Sequence, residues 1–257
     1  MKIVLSILFS ILYFSGLFAQ GEIDTEKKIF YRDERTFSAS LNSNGIAVGY
    51  KYAKRIDYTR KTTFEIEFAH IKDDKEVKVS TNTQQINRSF VYGKLNNFFT
   101  LHGGIGYQKE IFPKMDKGGI SIRYFYDGGL SIGMLKPIYY DVVVYINNIP
   151  ERQIAKYSEH AIIYGKASFF KGFDELSVNP GLYAKGGFTF EFGKYDKIFH
   201  AIETSVMLDG FVKRVPIMAV ENRSRFFLTM SLTYRFGKVL DSRFKTKKTK
   251  LDELIAD

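Results

Sequence analysis

Side chains alternate in character along much of this chain. Phe226, Leu228, Met230, Leu232, Tyr234 and Phe236 share one face of a segment whose other face carries Phe227, Thr229, Ser231, Thr233 and Arg235. A period of two belongs to a β-strand, because a helix at 3.6 residues per turn would scatter both sets around its circumference. The apolar row lasts about 11 residues, longer than the 5 or 6 usual in soluble sheets and matched to a tilted strand crossing a bilayer. The pattern recurs. Ile46, Val48, Tyr50 and Tyr52 alternate with Ala47, Gly49 and Lys51, and Phe64, Ile66 and Phe68 alternate with Glu65 and Glu67. Ile120, Ile122, Tyr124 and Tyr126 alternate with Ser121, Arg123 and Phe125, while Phe188, Phe190 and Phe192 alternate with Thr189 and Glu191.

Turn-forming residues divide the chain into ten predicted strands near 35–42, 46–56, 61–71, 88–95, 98–111, 119–126, 129–145, 181–193, 198–209 and 225–237. Connections at 57–60, 96–97, 127–128 and 194–197 are short and rich in Asp, Asn, Gly and Lys. Those at 72–87, 112–118, 146–180 and 210–224 are long, and only the first hairpin, Asn42-Ser43-Asn44-Gly45, breaks the alternation of lengths. Long loops on one side and tight turns on the other, with an even strand count, fit an outer-membrane barrel. Lipid offers no hydrogen-bond partner to a sheet edge, so such a sheet must close. The expected fold is therefore all-β: a closed antiparallel up-and-down transmembrane β-barrel of about ten strands. Eight or twelve also fit, since the register near Pro137 and in 89–97 is open. A soluble periplasmic β-sandwich is the competing architecture.

Literal alternation sends Lys51, Glu65, Glu67, Arg123, Lys185, Glu191, Glu203 and Arg235 into the lumen. Four cations and four carboxylates in a narrow enclosure should pair, because an unpaired ion away from bulk water is strongly unfavourable. A plugged polar core is the expectation. A selectivity lining is the alternative, and there one sign should dominate.

Composition adds a location. Met1-Lys2, the apolar run Ile3–Phe18 and Ala19 have the form of a signal peptide, giving an expected leader over 1–19, a barrel over 20–237 and a basic tail over 238–257. With 24 Phe, 17 Tyr and 5 Pro, the chain carries too much apolar ring to be a solvated coil. Zero cysteines exclude a disulfide scaffold, thiolate metal sites, cysteine catalysis and a lipoprotein anchor. The net charge of +10 does not indicate nucleic acid, since an exported chain meets none and its basic residues are scattered. The one dense basic cluster, Lys245, Lys247, Lys248 and Lys250, sits beside Asp252, Glu253 and Asp257. It reads as a solvated tail or a contact for an anionic surface or periplasmic partner.

Catalytic chemistry has few candidates. An omptin-like protease gathers Asp and His groups at the outer mouth of a ten-stranded barrel, and His70, Asp73, Asp74 and Asp209 could meet there, although no omptin motif is present. A lipid A deacylase-like site needs His close to Ser, a spacing that His200 and Ser205 do not provide. His102 faces the lumen among Gly103, Gly104 and Gly106, and His160 lies in the longest loop. Those glycines form no phosphate loop, since no Gly-Lys-Ser/Thr follows; they read as space for large lumen side chains. Asp73, Asp74 and Glu76 read as a solvated charge run, so no metal or cofactor is expected.

Several segments carry a family resemblance: Asn44-Gly45-Ile46-Ala47-Val48-Gly49-Tyr50, Tyr92-Gly93-Lys94-Leu95-Asn96-Asn97, Leu135-Lys136-Pro137-Ile138-Tyr139-Tyr140, Tyr164 to Phe173, Pro216-Ile217-Met218-Ala219 and Tyr234-Arg235-Phe236-Gly237-Lys238. Together they resemble a family of uncharacterised outer-membrane β-barrel proteins from Bacteroidota. The resemblance implies a place and a fold, with no catalytic residues to carry over. Tyr234-Arg235-Phe236 has the form of the aromatic end that barrel assembly machinery reads, yet 21 residues follow it. The expected protein is a non-enzymatic outer-membrane component, structural or accessory, that recognises partners through the loops at 72–87, 146–180 and 210–224. Its expected partners are outer-membrane lipid and lipopolysaccharide, the assembly machinery and another envelope protein. A narrow channel or transporter, or a surface hydrolase of lipid or peptide, are the alternatives.

Overall fold

The computed structural model describes residues 32–83, 86–115, 119–146, 149–158, 162–193, 198–219 and 224–241. The expected leader, His160 and the basic cluster from Lys245 to Lys250 lie outside them. The strands are β1 (Arg32–Asn42), β2 (Gly45–Arg55), β3 (Arg60–Ile71), β4 (Lys78–Thr83), β5 (Ile86–Val91), β6 (Asn96–Phe112) and β7 (Ser121–Pro137). They continue with β8 (Tyr139–Ile146), β9 (Ile149–Lys156), β10 (Ile162–Lys166), β11 (Ser177–Glu191), β12 (Ile198–Phe211) and β13 (Phe226–Asp241). Eight of them close in the order β1-β13-β12-β11-β7-β6-β3-β2. Closure is antiparallel and in register from Arg32↔Asp241 to Asn42↔Ser231. The fold is a closed, antiparallel, up-and-down β-barrel.

Its strand count is eight rather than ten, for two physical reasons. Asp127-Gly128 has the composition of a turn, but a two-residue hairpin needs a positive φ, and among the described residues the glycines with one are Gly45, Gly93 and Gly172. Gly128 and Gly129 instead continue β7, opposite Ala184 and Tyr183 of β11. The first half of the predicted strand at 88–95 belongs to β5, which pairs with β4 in a hairpin separate from the barrel sheet, and the second half lies in no strand. In consequence β6 runs opposite to its expected direction, and the 112–118 connection falls at the end where the termini of the barrel sheet lie. The long connections at the other end are 72–95, 138–176 and 212–225.

Alternation is literal in the barrel wall. Along β3 Lys61, Thr63, Glu65, Glu67, Ala69 and Ile71 are buried inside, while Phe64, Ile66 and Phe68 are exposed outside. On β13 the outward row from Phe226 to Phe236 is exposed throughout, and Thr229, Thr233 and Arg235 are buried. Toward the termini the outer face carries a cluster of rings. Phe37 lies 5.1 Å from Tyr50 and 6.1 Å from Phe236, and Tyr234 stacks on Phe236 and His200.

Beyond the other end, β10-β8-β9 form a three-stranded sheet with a small core of its own. Phe90 from β5 joins Ile138, Tyr140, Val142 and Ile163 there, and the Tyr140 hydroxyl donates to the Lys94 carbonyl at 2.7 Å. Pro137 ends β7 because it has no N–H for the ladder. The 146–180 segment, expected as a long recognition loop, thus contains two strands and a turn.

Candidate functional site

The lumen is the site the sequence marks out, and it is closed at three levels. At the mouth, Phe98 of β6, Phe211 of β12 and Leu135 of β7 turn inward and meet Val215, Ile217 and Met218 from the 212–225 connection. The Phe98 ring packs edge-on to Phe211 at 5.2 Å and lies 5.5 Å from Phe227. Backbone bonds hold this stopper: Leu95 N–H donates to the Ile217 carbonyl at 2.8 Å, and Ala219 N–H to the Gly93 carbonyl at 2.7 Å. Asn179 clamps Lys213 from both sides, its amide donating to the Lys213 carbonyl at 2.7 Å and its oxygen accepting from Lys213 N–H at 3.0 Å. The 210–224 segment, expected to serve recognition, therefore spends Val215, Ile217 and Met218 on closing the barrel.

Below the stopper lies an ionic network. Arg235 presents Nε to Glu203 Oε2 at 2.6 Å and Nη2 to Glu203 Oε1 at 2.9 Å, and the same Nη2 reaches Glu65 Oε1 at 2.5 Å. Lys185 Nζ lies 2.9 Å from Glu67 and 3.4 Å from Glu65. Lys51 Nζ sits 3.1 Å from Glu65, 3.4 Å from Asp127 and 4.4 Å from the centre of the Phe125 ring. The Thr63 hydroxyl donates to the second Asp127 oxygen at 2.6 Å. His102 Nε2 is 2.8 Å from Asp209, with Glu67 at 3.8 Å from its other nitrogen. None of these ionic side chains is more than 6% exposed on that inner face.

A third cluster faces the end where the strand termini lie. Arg123 binds Glu34 at 3.1 Å and also Glu191, Lys61 binds Glu34, and Lys114 reaches Glu191 at 2.7 Å. The eight charges read from the sequence are thus divided. Lys51, Glu65, Glu67, Lys185, Glu203 and Arg235 meet in the middle, whereas Arg123 and Glu191 pair below. Sequence reasoning did not place in the lumen Asp127, assigned to a turn, nor Glu34, Lys61 and Asp209, the last weighed only for a site at the outer mouth. Parity would have found the last three, since Lys61 continues the row of Glu65 and Glu67, Asp209 continues that of Glu203 and Ser205, and Glu34 heads the polar row Thr36, Ser38, Ser40.

Two of the three glycines on β6 create the room for this packing. A methyl group on Gly106 would overlap the Asp127 carboxylate, and one on Gly104 would press on the Tyr183 hydroxyl, whereas Gly103 opens outward onto free space. Gly106→Ala should therefore sharply lower the yield of folded barrel, and Gly103→Ala should leave it near wild type. Resistance of the folded band to unheated SDS measures both, and equal yields would contradict the inward packing.

The catalytic gatherings weighed from the sequence do not form. His70 lies on the outer face against Phe99, at 5.0 Å between rings, while Asp209 points inward to His102. His200 pairs with the Tyr234 hydroxyl outside, and Ser205 with the Ser231 hydroxyl inside, as an odd spacing along one strand requires. Glu76 is paired with Lys94 at 2.6 Å. Among the described residues no group of three His, Asp or Glu side chains is placed to hold a metal ion.

No family model matches the chain, and no curated protein does. Among solved structures the barrel is similar to Ail, the attachment invasion locus protein of Yersinia pestis, at 8% identity and a TM-score of 0.37, over 81% of this chain and 96% of that one. It is also similar to Neisserial surface protein A, at 7% identity and a TM-score of 0.35, over 80% and 94%. A third is the N-terminal β-barrel domain of Pseudomonas aeruginosa OprF, at 8% identity and a TM-score of 0.31, over 80% and 98%. The likeness extends to the barrel and to nothing finer.

Proposed function

We propose that this chain is an integral outer-membrane barrel without enzymatic activity, a sealed structural or accessory component that displays the β8–β9–β10 sheet and the β4–β5 hairpin for recognition. The apolar exterior supports the membrane. Exposed Leu41, Ile46, Val48, Ile66, Ile105, Leu130, Leu182, Val206, Leu228 and Met230 belong to strands all around the wall. Soluble monomers rarely expose contiguous apolar surface beyond a few hundred Å². A closed sheet also leaves no unpaired edge toward lipid.

The lumen carries the functional reading. An eight-stranded barrel encloses only enough space for its own side chains. Here that space holds a stopper, then two layers of paired ions, with both signs present at each ionic level, whereas a selectivity ring would favour one sign. Export with loss of a leader, delivery by the barrel assembly machinery and engagement of another envelope protein complete the proposal. The test is electrical. Purified protein in planar bilayers should give no steady current, and a reproducible steady conductance would replace the sealed component with a narrow channel.

A further inference from the structure

We propose that the turn after β10 is a binding site for a phosphorylated lipid of the surrounding leaflet, with Phe169, Phe170 and Phe173 entering the acyl region and Lys166 and Lys171 holding the phosphate. The inference rests on the membrane reading above and adds a defined lipid site to it.

Position follows from parity on β7. Ser131, Gly133 and Leu135 point inward, so Leu130, Ile132, Met134 and Lys136 follow one another up the outer face. Lys136 is the first charge above that apolar run. Its Nζ lies 4.4 Å from the centre of the Phe169 ring and 4.9 Å from that of Phe173, and the whole residue is only 1% exposed. The rings thus lie against the outside of the wall, directly above the belt, and continue it.

Local geometry fixes the turn there. Ala167 N–H donates to the Tyr139 carbonyl at 2.9 Å, and Lys171 N–H to the Ser168 carbonyl at 3.2 Å. Gly172 takes a φ of 91°, in the left-handed region, and any Cβ at that position would press on the Pro137 carbonyl and the Tyr139 ring. The turn therefore sits hard against the end of β7. Phe169 packs edge-on to both Phe170 and Phe173, yet Phe170 is 81% exposed. A phenylalanine that open gains little from folding in water, and it would be stabilised by entering an apolar phase.

Among the described residues, no carboxylate lies within 4 Å of Lys136, Lys166 or Lys171. Glu175 is already taken by Lys156 at 2.5 Å and by the Tyr139 hydroxyl at 2.7 Å. Asp174 makes no ion pair among the described residues. Lys166 lies 5.8 Å from the Phe169 ring centre and Lys171 5.2 Å from that of Tyr139. Burial first, and then the nearby Lys94 charge, hold the Lys166 ammonium below its ordinary pKa, while Glu76, ion-paired with Lys94 at 2.6 Å, offsets part of that. An anion at headgroup height would supply the ion-pair partner that Lys166 and Lys171 lack among the described residues, while the rings beside it meet the acyl chains of the same molecule. Interfacial aromatic and basic residues favour this level of a bilayer.

The test uses full-length protein in phosphatidylcholine nanodiscs containing either bisphosphorylated lipid A or the same lipid after removal of its phosphates. Lipid retained after transfer to mild detergent is counted by mass spectrometry. Wild type should retain the phosphorylated form at least fivefold over the other. Lys166→Gln with Lys171→Gln should abolish that preference, and Phe170→Ser should lower retention of both forms. Heat-modifiable insertion into pure phosphatidylcholine should remain as in wild type for every variant. Equal retention of the two forms by wild type, or an unchanged preference in the double variant, would overturn the lipid site while leaving the membrane reading intact. Loss of the preference in millimolar inorganic phosphate would identify a free-anion site instead and overturn it too. Failure of wild type to insert would remove both.

Discussion

Arg235→Met should destabilise the barrel by about 3–5 kcal/mol, the usual cost of leaving a buried ion without its partner. The Arg235 guanidinium is 2% exposed and serves two carboxylates, Glu203 in two contacts and Glu65 in one. Glu65 would keep Lys51 at 3.1 Å and Lys185 at 3.4 Å. Glu203, fully buried, would be left with cations no closer than 3.8 and 4.0 Å and the Thr189 hydroxyl at 3.3 Å. Most of the loss should therefore come from Glu203. Adding Glu203→Gln to Arg235→Met should recover a large part of it, giving strong coupling in a double-mutant cycle. Arg235→Lys should not restore wild-type stability, because an ammonium cannot span both carboxylates with a planar fork. The chain has no tryptophan, so loss of the compact band on unheated gels across a urea series is a convenient readout. Independent, additive effects of the two substitutions would mean that the side chains do not form the network.

Why this network was half visible in the sequence is a matter of which quantity each inference needed. Parity within one strand is local, so Glu65, Glu67 and Arg235 could be placed on the inner face from their immediate neighbours. Partner choice is not local. Arg235 and Glu65 are 170 residues apart, and their meeting depends on the stagger of strands around the whole barrel. Asp127-Gly128-Gly129 shows the reverse failure, since its composition is that of a turn while its extended backbone depends on pairing with β6 and β11. The segment from Ile86 to Val91 offered a signal that went unused: Ile86, Arg88 and Phe90 on one side and Asn87, Ser89 and Val91 on the other give no unbroken apolar face. A strand like that cannot line a hydrocarbon boundary. Likewise Val215, Pro216, Ile217 and Met218 are too apolar for a solvated loop, as are Phe169 and Phe170.

Depth across the wall gives the second large effect. Leu232→Arg should cost about 2–4 kcal/mol, as charges do near the midplane of a transmembrane barrel, and Phe236→Arg about 0–1 kcal/mol, as they do near an interface. Both residues point outward on β13, at 52% and 46% exposure. Leu232 lies inside the apolar row, whereas Phe236 is followed on the same face by Lys238 and belongs to the ring cluster with Phe37 and Tyr234. Phe236→Ala corrects for the lost ring contacts, so the remaining difference reports the charge alone. In water neither substitution would matter much, because an exposed leucine gives up little when it becomes arginine. A lipid boundary makes the cost depend on height, and only a lipid boundary does so for two residues of similar exposure on one strand. The comparison should be made by urea titration in lipid vesicles, where the difference in stability is read directly. Equal costs at the two heights would place the outer face of the barrel in contact with something other than hydrocarbon.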